Sequence, residues 1–115
     1  RVDNISLNDT KNTSSPKLDP IFVLLKENKV NEAVEYVNDG KLKQIDCLDE
    51  HGTTPLQYAS FRGFYDLCSL LIDKGANVNA KTHDQGYSAL MFAAISNNSR
   101  VVNLLLEHGA DVDHK

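Results

Sequence analysis

Apolar and polar positions along the chain follow a pattern that returns after about 34 residues, a period typical of repeat architectures. Residues 52–60 (GTTPLQYAS) match residues 86–94 (GYSALMFAA), and residues 70–79 match residues 104–113 at the same offset. Two matching blocks at one constant shift indicate an internal repeat. A weaker copy lies one interval earlier, where residues 19–21 correspond to residues 54–56. The chain is therefore predicted to use one structural unit about three times.

Each unit predicts a helix, a turn, a second helix and a short polar hairpin. Thr54 supplies a capping hydroxyl and Pro55 takes the first helical position, where its missing N–H is no loss. Asn28, Gly63 and Asn97 occupy one equivalent position, and these residue types tolerate the left-handed conformation at a helix end. The second helix has one apolar face and ends before a glycine: Leu67, Leu70 and Leu71 before Gly75, then Val101, Leu104 and Leu105 before Gly109. Since one helix pair cannot bury this face alone, we expect the units to stack.

The pattern also predicts the domain boundaries. Residues 1–17 form a polar N-terminal tail with few apolar side chains. Residues 18–115 form the folded domain, with a degenerate capping repeat at about 19–45 and full repeats at about 46–79 and 80–113. The last residues begin another hairpin with no helix pair after it, which predicts a segment taken from a longer array.

The repeated residues resemble the ankyrin repeat, whose pattern runs Gly-x-Thr-Pro-Leu-His-x-Ala-Ala and then Leu-Leu-Leu-x-x-Gly-Ala-Asp-Val-Asn. The resemblance covers about residues 45–115, with the degenerate copy at 19–40. It implies an all-α solenoid of stacked helix-turn-helix units joined by β-hairpin loops, and a role in binding other proteins. The sequence departs from the pattern at Gln57 and Met91, where the family usually has His, and at Ser88-Ala89 in place of Thr-Pro. We expect these changes to weaken helix capping.

A narrower resemblance involves the two hairpins and the helix between residues 89 and 94. These segments are similar to ankyrin-repeat proteins that also carry a MYND zinc finger. That resemblance implies an adaptor linked to the trafficking of membrane cyclases to cilia. The 115 residues hold no MYND cysteine cluster, because Cys47 and Cys68 are the two cysteines of the sequence.

The family resemblance also implies where a partner binds, namely the inner-helix face and the hairpin tips. Tyr58, Phe61 and Arg62 lie at helical positions i, i+3 and i+4, which form a single stripe. An alternative is that Phe61, Phe92 and Ile95 thicken the core between repeats. The predicted partner-binding residues are Asp49, Glu50, His51, Thr53, Tyr58, Phe61, Arg62, His83, Asp84, Tyr87, Phe92 and Ile95.

The charge of the chain narrows the choice of partner. The formal net charge is −4, and the twelve basic residues are scattered, whereas nucleic-acid binding requires clustered Lys and Arg. Acidic Asp49 and Glu50 favour a basic protein or peptide segment, through complementarity that orients the partner. The apolar runs are far shorter than a membrane span, so we expect neither nucleic-acid binding nor membrane insertion. The oligomeric state is left open.

Catalytic motifs are absent from the sequence. The four histidines and two cysteines lack the spacing of a zinc site, and there is no phosphate-binding glycine loop or nucleophile elbow. His51 and His83 share the hairpin region of successive repeats, yet two ligands are a weak basis for a metal site. We therefore expect no metal, no cofactor and no enzyme activity.

Two functional hypotheses follow. The first is a cytoplasmic adaptor that grips a protein or peptide, with the cilium and the nucleus as alternative locations. The second is a regulatory or targeting module taken from a larger enzyme or channel. Asn79 is similar to asparagines of ankyrin hairpins that are modified by asparaginyl hydroxylase, although a structural role within its hairpin is the favoured interpretation.

Overall fold

Residues 19–111 are described by a computed structural model, and within them every regular element is an α-helix. The helices form three successive pairs, each with an inner and an outer member. In chain order they are α1 (Pro20–Lys26), α2 (Val30–Asn38), α3 (Pro55–Arg62), α4 (Tyr65–Asp73), α5 (Ala89–Ile95) and α6 (Ser99–Glu107). This arrangement confirms the predicted all-α solenoid. The predicted tail (residues 1–17) and the last positions of the third repeat lie outside the described residues.

The first helix of each pair begins at a side-chain cap. Asp19 Oδ1 accepts a hydrogen bond from the N–H of Ile21 at 2.9 Å, and the hydroxyls of Thr54 and Ser88 cap α3 and α5 in the same way. The expectation of weaker capping is wrong at Gln57, whose Oε1 accepts from the N–H of Thr54 at 3.0 Å. Met91 provides only its sulfur, 3.4 Å from the N–H of Ser88, and thioether sulfur is a weak acceptor.

The turn between the two helices of each pair has the predicted left-handed residue. The φ angles are +61° at Asn28, +77° at Gly63 and +64° at Asn97. This conformation is costly for most L-residues and is best tolerated by glycine and asparagine. The equivalence of the three positions, inferred from the repeat period, is therefore confirmed.

The hydrophobic core runs continuously through the three pairs. Leu25 from α1, Leu56 from α3, Leu71 from α4 and Leu105 from α6 are each fully buried within one connected cluster. The buried thiol of Cys68 belongs to the same cluster. Because no pair closes its own core, the stability of each repeat depends on its neighbours.

The loops between repeats are tight turns within the described residues, without a regular strand pair. Adjacent loops bond to each other instead: the N–H of Asp84 donates to the carbonyl of His51 at 2.9 Å. Asn79 Oδ1 accepts from the N–H of Asp111 at 2.7 Å, and Asn79 Nδ2 donates to the carbonyl of Gly109 at 3.1 Å. The structural role expected for Asn79 is present: its backbone N–H donates to Asn77 Oδ1 at 2.9 Å within its own hairpin, and its side chain bonds to the next repeat.

Candidate functional site: a groove on the inner-helix face

A groove of about 310 Å³ lies where the inner helices meet the loops. Its walls come from α1, α3, α5 and the two loops that precede α3 and α5. Every lining residue except one was predicted from the sequence to contact a partner; the exception is Lys26. The lining residues are Lys26, Asp49, Glu50, His51, Thr53, Tyr58, Phe61, His83 and Phe92.

Four rings form an aromatic cluster along one side of this groove, and we use that name for Phe61, His83, Tyr87 and Phe92. Phe92 is central, because it meets Phe61, His83 and Tyr87 edge to face with centroid distances of 5.9, 5.2 and 5.5 Å. His83 and Tyr87 stack nearly parallel, with centroids 5.3 Å apart. Aromatic pairs in these geometries are worth about 0.5–1.5 kcal/mol beyond simple burial, so the cluster holds its shape without a ligand.

Much of the predicted apolar surface remains open to solvent. Phe61 is 45% exposed, Tyr87 37% and Ile95 59%. Tyr58 differs, because it is half-buried and packs against the hydrophobic core. Tyr58 therefore both packs on the core and lines the groove, whereas Phe61, Tyr87 and Ile95 keep large exposed areas.

Charged side chains lie on the loop side of the groove. Glu50 and His51 line it and Asp84 adjoins His51; we call these three residues the acidic lip. His51 lies between the two carboxylates, with Nδ1 3.4 Å from Asp84 Oδ2 and Nε2 4.0 Å from Glu50 Oε2. Lys26 Nζ donates to Glu50 Oε2 at 3.3 Å. The pKa of Glu50 is lowered, first by its own backbone N–H and then by the hydrogen bond from Lys26. Glu50 is thus a carboxylate at neutral pH.

Two predicted contact residues lie inside the first loop rather than at its surface. Asp49 is 9% exposed, and its Oδ1 accepts from the N–H groups of His51 and Thr53 at 2.8 and 2.9 Å. Thr53 is 6% exposed. Asp49 therefore holds the turn through Oδ1 while it also lines the groove, and its contact with a partner stays a prediction.

The second loop uses His83 for the same purpose. His83 Nδ1 accepts from the N–H of Gln85 at 3.0 Å, as Asp49 accepts from His51. His83 is therefore the counterpart of Asp49 in the next repeat, and His51 corresponds to Gln85. The two histidines line one groove but occupy different positions of the repeat.

Lys26 was missed by the sequence reasoning, although the repeat alignment contains the signal. The alignment of the capping repeat with the first full repeat places Lys26 at the position of Phe61, and the second full repeat has Ile95 there. Arg62 contacts Lys26, because its Nη2 donates to the carbonyl of Lys26 at 3.3 Å. Its guanidinium lies 5.8 Å from the ring centre of Tyr58.

The cysteine thiols in the described part of the chain are held in their neutral form. Burial raises the pKa of the Cys68 thiol to about 12 and that of Cys47 to about 11, so both are neutral at physiological pH. Across residues 19–111, no three His, Cys, Asp or Glu side chains are grouped so as to hold a metal ion. None of the helices in that range has the length and apolar character needed to cross a bilayer.

A second depression, of about 560 Å³, lies on the outer helices. Val34 of α2, Phe64 and Tyr65 at the start of α4, and Arg100 of α6 contribute to its walls. The guanidinium of Arg100 lies 4.2 Å from the ring centre of Tyr65, and so covers the largest aromatic face there.

Comparison with known proteins identifies the family. A family model described as ankyrin repeats (3 copies) matches residues 8–115. The chain belongs to the ankyrin-repeat family. An ankyrin repeat and SAM domain-containing protein 6 from Rattus norvegicus is 44% identical over 110 residues, covering 90% of this chain and 12% of the relative. The palmitoyltransferase akr1 of Neurospora crassa is 43% identical over 63 residues, covering 55% of this chain and 9% of the relative.

A solved ankyrin structure agrees with the fold. The crystal structure of the human ASB11 ankyrin repeat domain matches with a TM-score of 0.73 at 22% identity, covering 85% of this chain and 43% of that one. Ankyrin repeats generally mediate protein–protein interaction. This ankyrin chain spans only a small part of its curated relatives, and its narrower resemblance to the MYND-containing adaptors stays a prediction.

Proposed function

We propose that the chain is a non-catalytic interaction module that binds a protein or peptide segment in the inner-face groove. The observation that carries the proposal is the coincidence of exposed aromatic and aliphatic side chains with a formed concavity. Apolar patches that are not needed for packing often mark binding sites, and aromatic residues are enriched at binding hot spots. Phe61 meets this description, because it lines the groove and is 45% exposed. Tyr87 extends the surface through its contact with Phe92, and Ile95 holds the position of Phe61 in the next repeat.

The groove has two chemically different sides. The aromatic cluster provides apolar contact area, and the acidic lip provides negative charge at its loop side. A partner segment with apolar anchors and basic character fits this division. Electrostatic complementarity of this kind orients a partner and speeds its association more than it tightens binding.

Affinity capture from a cell extract with matched variants tests the proposal. Phe61→Ala combined with Ile95→Ala removes an exposed side chain from the groove and another from the inner face beside it, while Leu106→Ala removes a similarly exposed side chain (41%) from the outer helix α6. The groove variant is expected to lose the captured partner while the Leu106 variant keeps it. Because Phe61→Ala also removes the ring contact with Phe92, capture is measured well below the melting temperature of each variant, with folding checked by circular dichroism. Equal capture by both variants contradicts the proposal.

The proposed binding role fits two kinds of protein, a free-standing adaptor and a larger enzyme or channel that contains the module. One is a free-standing adaptor in a reducing compartment such as the cytoplasm, a choice supported by the two free cysteines. The finer assignment to trafficking of membrane signalling proteins follows the narrower resemblance alone. The second kind is a regulatory or targeting module within a larger enzyme or channel. Its support is that the chain matches 9% of the length of a palmitoyltransferase.

A further inference from the structure

Lys26 occupies an unusual place in the groove. It is the cationic member of an inner-face row whose other positions, Phe61 and Ile95, are apolar. Its Nζ lies 3.3 Å from Oε2 of Glu50, which is 24 residues away in the sequence. The two side chains are 41% and 50% exposed, so the ion pair is open to solvent and to any incoming group.

We propose that a lysine or arginine of the partner pairs with Glu50 and displaces Lys26. Lys26 thus competes with the partner's cation for the same carboxylate. This deepens the proposed function and rests on it. The contacts in the groove supply the chemistry: an ammonium group already sits against the acidic lip, beside aromatic rings that favour the stem and charge of a cationic side chain.

The charge balance of the groove favours a cation over an anion. Asp49 is occupied by backbone N–H groups, so it contributes a fixed negative charge without being available for pairing. Glu50 and Asp84 are exposed at the lip, with His51 between them. Arg62 is directed to the carbonyl of Lys26 and to the ring of Tyr58. Among residues 19–111, Lys26 is therefore the Lys or Arg side chain that pairs with Glu50.

Displacement of Lys26 is energetically easy. Exposed ion pairs contribute about 0.2–1 kcal/mol to stability, because water and salt screen them. An incoming cationic side chain therefore meets little resistance, and release of Lys26 leaves its ammonium hydrated. Removal of the Lys26 charge should tighten binding of a basic segment by about 1.4- to 5-fold, which is that range converted to a ratio of dissociation constants.

A random dodecapeptide library displayed on phage, selected on the immobilised full chain, tests the inference. Enriched peptides are then synthesised with a fluorescent label and titrated by anisotropy. The wild type is expected to enrich Lys or Arg next to an apolar residue, in peptides whose binding is lost in Phe61→Ala. Glu50→Gln should weaken these peptides and remove the preference for Lys or Arg, and Lys26→Met should tighten them.

Lys29→Met is the matched control, since Lys29 pairs with Glu27 at 3.2 Å away from the groove and its removal changes the net charge equally. The inference is overturned if affinity rises equally in the Lys26 and Lys29 variants. It is also overturned if peptides bind through Phe61 without a preference for Lys or Arg. Either result leaves the proposed function standing. Failure to enrich any Phe61-dependent peptide counts against both.

Discussion

The rings of Phe61 and Phe92, which come from the inner helices of successive repeats, meet edge to face with centroids 5.9 Å apart. This contact joins two repeats outside the continuous core. It also fixes the shape of the groove, since Phe92 simultaneously contacts His83 and Tyr87. The aromatic cluster is thus part of the structure and part of the proposed binding surface.

The ring contact predicts a measurable coupling between the two phenylalanines. In a double-mutant cycle of Phe61→Ala and Phe92→Ala, we expect a coupling free energy of about 0.5–1.5 kcal/mol. Urea denaturation followed by circular dichroism provides the four stabilities. The control cycle pairs Phe92→Ala with Leu106→Ala on α6, where additivity is expected. A coupling of zero in the first cycle would show that the rings do not interact.

Gln57 predicts a second test, because it connects two repeats through its side-chain amide. Its Nε2 donates to the carbonyl of Ala80 at 2.9 Å, and its side chain is almost fully buried. Gln57→Met leaves that buried carbonyl without its donor and should cost about 1–3 kcal/mol. The reciprocal change Met91→Gln is the control: it restores a good capping acceptor at the half-buried equivalent position and should be neutral or mildly stabilising. If thermal melts show equal losses for both variants, the bond to Ala80 has no special role.

Gly52 and Gly86 form a matched pair for testing loop stacking. Both have φ of +77° and hold equivalent positions in successive repeats, but a Cβ at Gly52 would overlap the carbonyl oxygen of Thr82, whereas a Cβ at Gly86 has nothing within 4 Å. Gly86→Ala should cost about 1–2 kcal/mol from backbone strain. Gly52→Ala should cost an additional ~1–3 kcal/mol from the clash. Equal destabilisation in chemical denaturation would mean that the two loops do not stack as described.

Much of the fold could be predicted because the determinants are local and repeated. The turn residues Asn28, Gly63 and Asn97 each require one unusual φ, and Thr54 with Pro55 marks a helix start; such signals can be read without knowledge of the neighbours. The capping role of Gln57 was misjudged, since its side chain is anchored by carbonyls of the following loop.

The candidate site was harder to predict, because its details depend on contacts between repeats. The aromatic positions Phe61, Tyr87 and Phe92 were implied by the family resemblance, but burial of Asp49 depends on the turn that its carboxylate caps. Lys26 was overlooked because the capping repeat is degenerate. Its relation to Glu50 arises only when α1 is stacked beside the first loop.

The thiol of Cys68 leads to a prediction about alkaline pH. Burial raises its pKa from the ordinary 9.0 to about 12, so the folded state favours the neutral thiol. The resulting stabilisation is present below pH 9 and is lost as the pH rises from about 9 towards 12. The urea midpoint should therefore fall more steeply above pH 9 in the wild type than in Cys68→Ala.

At pH 8, labelling of Cys68 by a thiol reagent in a Cys47→Ser background should require unfolding; rapid labelling of the folded chain would contradict its burial.

Site-specific photo-crosslinking tests directly whether a partner binds in the inner-face groove. Benzoylphenylalanine replaces Tyr87 at the aromatic cluster in one variant and Glu35, beside the depression on the outer helices, in the other. Each variant is irradiated with the partner captured by the wild type, and the crosslinked product is measured by mass spectrometry. We expect a strong crosslink from position 87 that disappears with Phe61→Ala, and little from position 35. A partner that crosslinks mainly from position 35 would contradict it.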